Sequence, residues 1–202
     1  MTRLTRFRLL RGVVAVVAGG LLAACASVPL EPPADALAAF DAKNFDEAIR
    51  LCNVELDSGG LSDGQRSLAL NLRGLAWYEK GEHDRARADF DHAIALDSRN
   101  GSAFNNRGNV SYKAGQLDRA IADYTEAIRL DPKSAFPLNG RGAVWSDQSD
   151  FDRAIADFSK GIQLAPSYAD PHANRGKARY FKRDWQGAIA DFDQALRLQP
   201  AF

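Results

Sequence analysis

Two series of polar side chains recur along the chain at a fixed spacing. Arg73, Arg107, Arg141 and Arg175 are each followed sixteen residues later by an aspartate, Asp89, Asp123, Asp157 and Asp191. A guanidinium is a planar fork of donors that matches a carboxylate, and four of each is a balanced set. The expectation is therefore an internal ion pair joining one helix to the next, because a half-buried arginine needs a partner. The second series is Asn71, Asn105 and Asn139, with Asn109 beside it. Asparagine amides both donate and accept, which suits an extended peptide backbone, and Tyr78, Tyr112 and Tyr180 add flat amphipathic contacts. Catalytic spacing is not found: His83, His92 and His172 share no register with one another or with a nucleophile, and each is expected at the surface. The sequence has no phosphate-cradling glycine loop, zinc-type cysteine pair or nucleophile elbow. No enzyme activity, metal or cofactor is expected.

The elements that must position these residues repeat as well. Residues 101–134 lie on 67–100 after a shift of 34, and on 135–168 and 169–202 after further shifts, without a gap. The matching columns include Gly74, Gly108, Gly142 and Gly176; Ala86, Ala120, Ala154 and Ala188; and Phe90, Tyr124, Phe158 and Phe192. Each block carries apolar residues twice at helical spacing, as in Ala120, Ile121, Tyr124, Ala127 and Ile128, which is the stripe of an amphipathic helix. Two helices per block follow. Glycine inside a helix costs about 0.5–1 kcal/mol, so Gly108 is expected to face Ala120, and Gly142 to face Ala154, with the aromatic filling the space beside that contact. Gly81 and Gly115 read as left-handed caps, and Ser149 and Arg183 take the same place less ideally. Asp84, Asp118 and Asp152 suit the opening turn of each second helix, and Pro132, Pro166 and Pro200 stop it.

A 34-residue period with Gly108, Tyr112, Ala120, Tyr124, Ala127 and Pro132 in these places resembles the tetratricopeptide repeat, a helix-turn-helix unit. The resemblance covers two thirds of the chain and implies an all-α, right-handed solenoid of about five repeats. The divergent first one spans 34–66, and the rest span 67–100, 101–134, 135–168 and 169–202. The family has an apolar residue where this chain has its arginine series. Its concave surface would here show Asn71, Leu75 and Tyr78; Asn105, Asn109, Tyr112 and Lys113; Phe136 and Asn139; and Lys177, Tyr180 and Phe181. That resembles a peptide groove. The carboxylate clamp of chaperone-binding members is not reproduced, so capture of a free C-terminal tail is not expected.

The first 24 residues read as a leader. Arg3, Arg6, Arg8 and Arg11 precede an apolar run from Val13 to Leu22, a basic segment followed by a stretch too short to span a bilayer. Leu22-Ala23-Ala24-Cys25 resembles the bacterial lipobox, which implies cleavage before Cys25 and acyl chains on it. An ordinary leader cut near Ala24 or Ala26 is the alternative. Ala26 and Ser27 lack the aspartate that retains such lipoproteins at the inner membrane, so the expected place is the periplasmic face of the outer membrane. Without the leader the chain holds 22 basic and 26 acidic residues, which disfavours nucleic acid and electrostatic adhesion to anionic lipid. Residues 25–33 would form the acylated, proline-rich tether, about 25 Å long if extended. Phe45-Asp46-Glu47-Ala48-Ile49 matches Leu117 to Ile121, which places Cys52 in the aromatic column as a buried filler.

By these resemblances the protein is expected to be an envelope adaptor. It resembles the small tetratricopeptide lipoproteins, including new-lipoprotein-I-type adaptors, with envelope proteins or peptides as partners. A pilotin-like assembly factor for a secretin or pilus is the alternative. No segment for a capping helix follows the final helix, so the stripe of Ile189, Leu196 and Leu198 is expected to be exposed, with Phe202 covering little of it. That end would serve a homodimer or a docked partner.

Overall fold

A computed structural model describes residues 31–200. Cys25, the leader, most of the tether and Phe202 lie outside the described residues. Ten helices make up the described structure: α1 (Ala34–Asp41), α2 (Phe45–Asp57), α3 (Asp63–Glu79), α4 (His83–Leu96), α5 (Gly101–Lys113), α6 (Leu117–Leu130), α7 (Phe136–Asp147), α8 (Phe151–Leu164), α9 (Ala169–Phe181) and α10 (Trp185–Leu198). They stack as consecutive pairs, and each second helix also packs on the first helix of the next pair. First helices touch first helices of neighbouring pairs, whereas second helices do not touch each other. The first-helix side is therefore the shorter, inner wall of a curved all-α solenoid. Among the described residues no helix is long and apolar enough to cross a membrane.

Local chemistry sets the helix boundaries. Five turns between paired helices place one residue each at positive φ: Lys43 at 59°, Gly81 at 81°, Gly115 at 70°, Ser149 at 61° and Arg183 at 63°. Glycine adopts that region freely and the other three do so at some strain. Side chains of Asn44, Ser62, Asn100, Asp150 and Asp184 accept from backbone N–H groups at helix starts, Ser62 within a full capping box with Gln65. Asp84, Asp118 and Asp152 lie in first turns, and α6 and α8 end two residues before Pro132 and Pro166.

The glycine column works differently from the expected glycine-to-alanine contact. A β-carbon at Gly74, Gly108, Gly142 or Gly176 would lie 2.6, 2.8, 2.6 or 2.9 Å from Cε1 of Phe90, Tyr124, Phe158 or Phe192. The aromatic ring itself lies against the glycine, so the missing side chain makes room for the ring rather than for the opposing alanine. Phe90, Tyr124 and Phe158 are fully buried, as are Ala86, Ala120 and Ala154 around them. Cys52 fills the equivalent place in the first pair, against Ala36 and Leu72. Burial pushes its thiol up to about 11, which suits an inert filler.

Candidate functional site

The arginine and aspartate series form four bidentate clasps within their own repeats. In the Arg141 clasp, Nε donates to Asp157 Oδ2 at 2.8 Å and Nη2 to Oδ1 at 2.8 Å. Arg73, Arg107 and Arg175 hold Asp89, Asp123 and Asp191 in the same way. The remaining Nη1 reaches back to the second helix of the preceding pair, onto Asn53, Asp91, Thr125 or Ser159. One guanidinium thus joins three helices. The Asp123 carboxylate, hydrogen-bonded to Arg107 and seconded by Asp91, pushes that guanidinium further up from its usual range. The clasps are structural, as their balanced numbers implied.

The asparagine series divides. Asn71 Oδ1 accepts from Asn106 Nδ2 at 3.0 Å, and Asn139 Oδ1 from Asn174 Nδ2 at 3.0 Å. Both bonds join neighbouring repeats, and Asn139 also donates to the Tyr168 hydroxyl. Where the column of Asn106 and Asn174 would supply the same donor to Asn105, the chain has Gly140. A β-carbon there would lie 2.6 Å from Tyr124 Cε1 and Cζ and 3.0 Å from the hydroxyl. Tyr124, where three of the other repeats have phenylalanine, uses this room to donate its hydroxyl to Asn109 Oδ1 at 2.7 Å. Asn105 donates to Asn106 Oδ1 at 3.1 Å. Asn105 Oδ1 and Asn109 Nδ2 are left without a protein partner among the described residues.

Those two amides sit one helical turn apart on α5 and open into a cavity of about 480 Å³ on the inner wall. Asn71, Arg99, Asp131 and Phe136 share its lining. Phe136 is 63% exposed, a large apolar surface at the rim. A free acceptor and a free donor at this separation match the alternating groups of an extended backbone, and Arg99 adds a positive charge.

The other candidate residues lie elsewhere. Tyr112 donates to Asp147 Oδ2 at 2.6 Å, and burial, with that carboxylate, pushes its phenol up. Tyr78 packs against His83, ring centroids 5.2 Å apart, and onto the cluster around Phe90. Lys177 lines a separate cavity of about 420 Å³ with Asp147, Phe151 and Phe181. Tyr180 meets Phe181 and Trp185 edge-on near the last turn. The histidines are not uniformly superficial: His172 is buried between the last helices, with Nδ1 3.9 Å from Asp191 Oδ1. It lies in the first turn of α9, which packs inward with Ala169 and Pro171, a placement that its lack of register concealed. Sequence reasoning also missed Asn106, Gly140 and Asn174. Their clue was a pair of departures in adjoining blocks, Tyr124 in one and Gly140 in the next.

Family models described as the tetratricopeptide repeat match residues 67–100, 101–134 and 146–201, together more than half of the chain. No curated protein matches by sequence. Among solved structures, YrrB, described as a TPR protein with an unusual peptide-binding site, is 21% identical, with TM-score 0.61 over 82% of this chain and 84% of its own. MamA of Desulfovibrio magneticus RS-1 is 19% identical, with TM-score 0.66 over 83% of this chain and 92% of its own. The Cut9-Hcn1 hetero-tetramer of APC/C gives TM-score 0.75 at 20% identity over 83% of this chain, which spans 33% of that one. At these identities the likeness is one of fold. The repeat models and the solved solenoids agree on the helix pair that the 34-residue period specifies, and the chain belongs to the tetratricopeptide repeat family.

Proposed function

We propose that the protein is a non-catalytic scaffold that captures peptide segments of envelope proteins in its inner groove. Acyl chains on Cys25 hold it to the periplasmic face of the outer membrane. The observation that carries the groove reading is the Asn105 and Asn109 pair, whose free acceptor and donor face a cavity of about 480 Å³ beside exposed Phe136. A peptide-binding site is named for YrrB, a protein of the same fold, which supports peptide capture as the use of this one. The anchor reading rests on the basic start, the short apolar run and Leu22-Ala23-Ala24-Cys25. Two acyl signals suffice for stable anchoring where a single chain gives only reversible binding.

Two variants test the reading separately. Cys25→Ser moves the protein from the membrane to the soluble fraction and removes incorporation of labelled fatty acid. Asn105→Ala lowers the yield of crosslinked envelope partner without lowering the melting temperature, whereas Asn139→Ala lowers the melting temperature because its amide joins two repeats. Undiminished capture by Asn105→Ala, or membrane retention of Cys25→Ser, would refute the corresponding half.

A further inference from the structure

The outer face of α10 repeats a surface that is covered everywhere else in the solenoid. Phe90, Tyr124 and Phe158 are fully buried, but Phe192, the next ring in the column, is 38% exposed. Ile189 and Leu196 on the same helix are 61% and 49% exposed, and Trp185 is exposed beside them. Ile189 and Leu196 are exposed as the sequence led us to expect, whereas Leu198 is half-buried.

The inner repeats show what sits on such a face. Val110 packs on Ala86 and Phe90, Val144 on Ala120 and Tyr124, and Ala178 on Ala154 and Phe158. Three residues before each of them stands the arginine whose Nη1 reaches the second helix below, as Arg107 reaches Asp91 at 2.8 Å. The column of Asn53, Asp91, Thr125 and Ser159 continues at Asp193, which is exposed and has no partner among the described residues. The face therefore offers an apolar seat at Phe192 and Ile189 and a carboxylate at the place where a guanidinium docks.

A second copy stacked so as to continue the solenoid does not supply that cation. Head-to-tail stacking brings α1, in which Asp35 precedes the left-handed turn residue Lys43 by the same interval as Arg73 precedes Gly81. That arrangement opposes two carboxylates, which specific interfaces avoid.

We infer that the outer face of α10 docks an amphipathic helix of a partner protein that carries an arginine followed three residues later by alanine or valine. The arginine meets Asp193 and the small apolar residue seats on Phe192. This surface is distinct from the inner groove, so the two can hold different segments.

The test uses a fluorescent peptide with the sequence of residues 100–114, which holds Arg107 and Val110 and occupies this seat on Asp91 and Phe90. A lactam between solvent-facing positions keeps it helical. The purified protein should bind it saturably. Asp193→Arg should weaken binding about tenfold, the scale of a close charge pair, and a peptide with Arg107→Asp should restore most of that loss. Ile189→Glu should abolish binding. Absence of saturable binding, indifference to Asp193→Arg, or failure of the swapped pair to recover would overturn the inference. A protein dimer in sedimentation that Ile189→Glu disperses would assign the face to a second copy instead, and would equally overturn it.

Discussion

Removing either side of the Arg141 clasp should cost far more than cutting a surface ion pair. The side chains of Arg141 and Asp157 retain 22% and 11% of their exposure. Arg141→Ala strips Asp157 of two charge-assisted hydrogen bonds at 2.8 Å in a nearly dry place. Orphaning a buried charge costs about 3–5 kcal/mol, and the partly open rim puts this case near the lower end, at about 3 kcal/mol. Asp157→Ala leaves the guanidinium its bond to Thr125 Oγ1 at 3.0 Å and some water. That milder loss should cost about 2 kcal/mol. With both partners gone no charge is stranded, so the double variant should lose about 3 kcal/mol, giving a coupling of about 2 kcal/mol. Urea unfolding followed by circular dichroism reads all four proteins, at an unchanged denaturant slope. The exposed Arg129 and Glu126 pair within α6 serves as control. A clasp coupling below about 0.5 kcal/mol, as for a surface pair, would refute the reasoning.

The tyrosine that departs from its column gives a second test. Gly140→Ala should destabilise by about 2 kcal/mol through overpacking on the Tyr124 ring. Tyr124→Phe should recover part of that, because Phe90 and Phe158 coexist with Asn106 and Asn174 in the same columns; no recovery in urea melts would contradict the pairing. Cys52 should resist iodoacetamide at pH 8 until the protein unfolds, and labelling of the native protein would count against its burial. Its folded thiol titrates at about 11 against 9.0 when free. The folded state therefore holds the extra proton between these values, and the stability this contributes is full below pH 9 and lost as pH rises towards 11. Ser149→Gly, at φ 61°, should raise stability by about 0.5 kcal/mol, the relief of left-handed strain exceeding the added freedom of the unfolded chain; a lower melting temperature would contradict it.

How much of this was legible in the sequence depends on whether a residue acts within its column or across columns. The arginine and aspartate series repeat at one interval with matched numbers, so their pairing could be read from spacing alone. The same holds for the turn residues Gly81, Gly115, Ser149 and Arg183, each at the one place where a short turn needs a left-handed residue. The asparagine series was legible only in part, because Asn71 bonds Asn106 and Asn139 bonds Asn174 across 35 residues, one more than the period. A bond between adjacent columns leaves no trace in an alignment of blocks. Glycine had two readings, close approach to alanine or to a ring, and only the packing of Gly108 on Tyr124 separates them. His172 shows the limit for a single residue: without a recurring partner, nothing in its type or spacing distinguishes a buried imidazole from a surface one.

The most direct measurement is site-specific photocrosslinking in intact cells, with a photoreactive phenylalanine analogue at position 136 on the groove rim or at position 119 on the outer side of α6. Phe136 lines the asparagine groove and leaves both of its amides in place, whereas Arg119 is exposed and lines a cavity with Arg87 and Ala122, away from that groove. A discrete protein adduct is expected from position 136, lost when Asn109→Ala is combined with Tyr124→Phe so that no hydroxyl is stranded, and no such adduct from position 119. Equal adducts from both positions, or one from position 119 alone, would contradict capture in the groove.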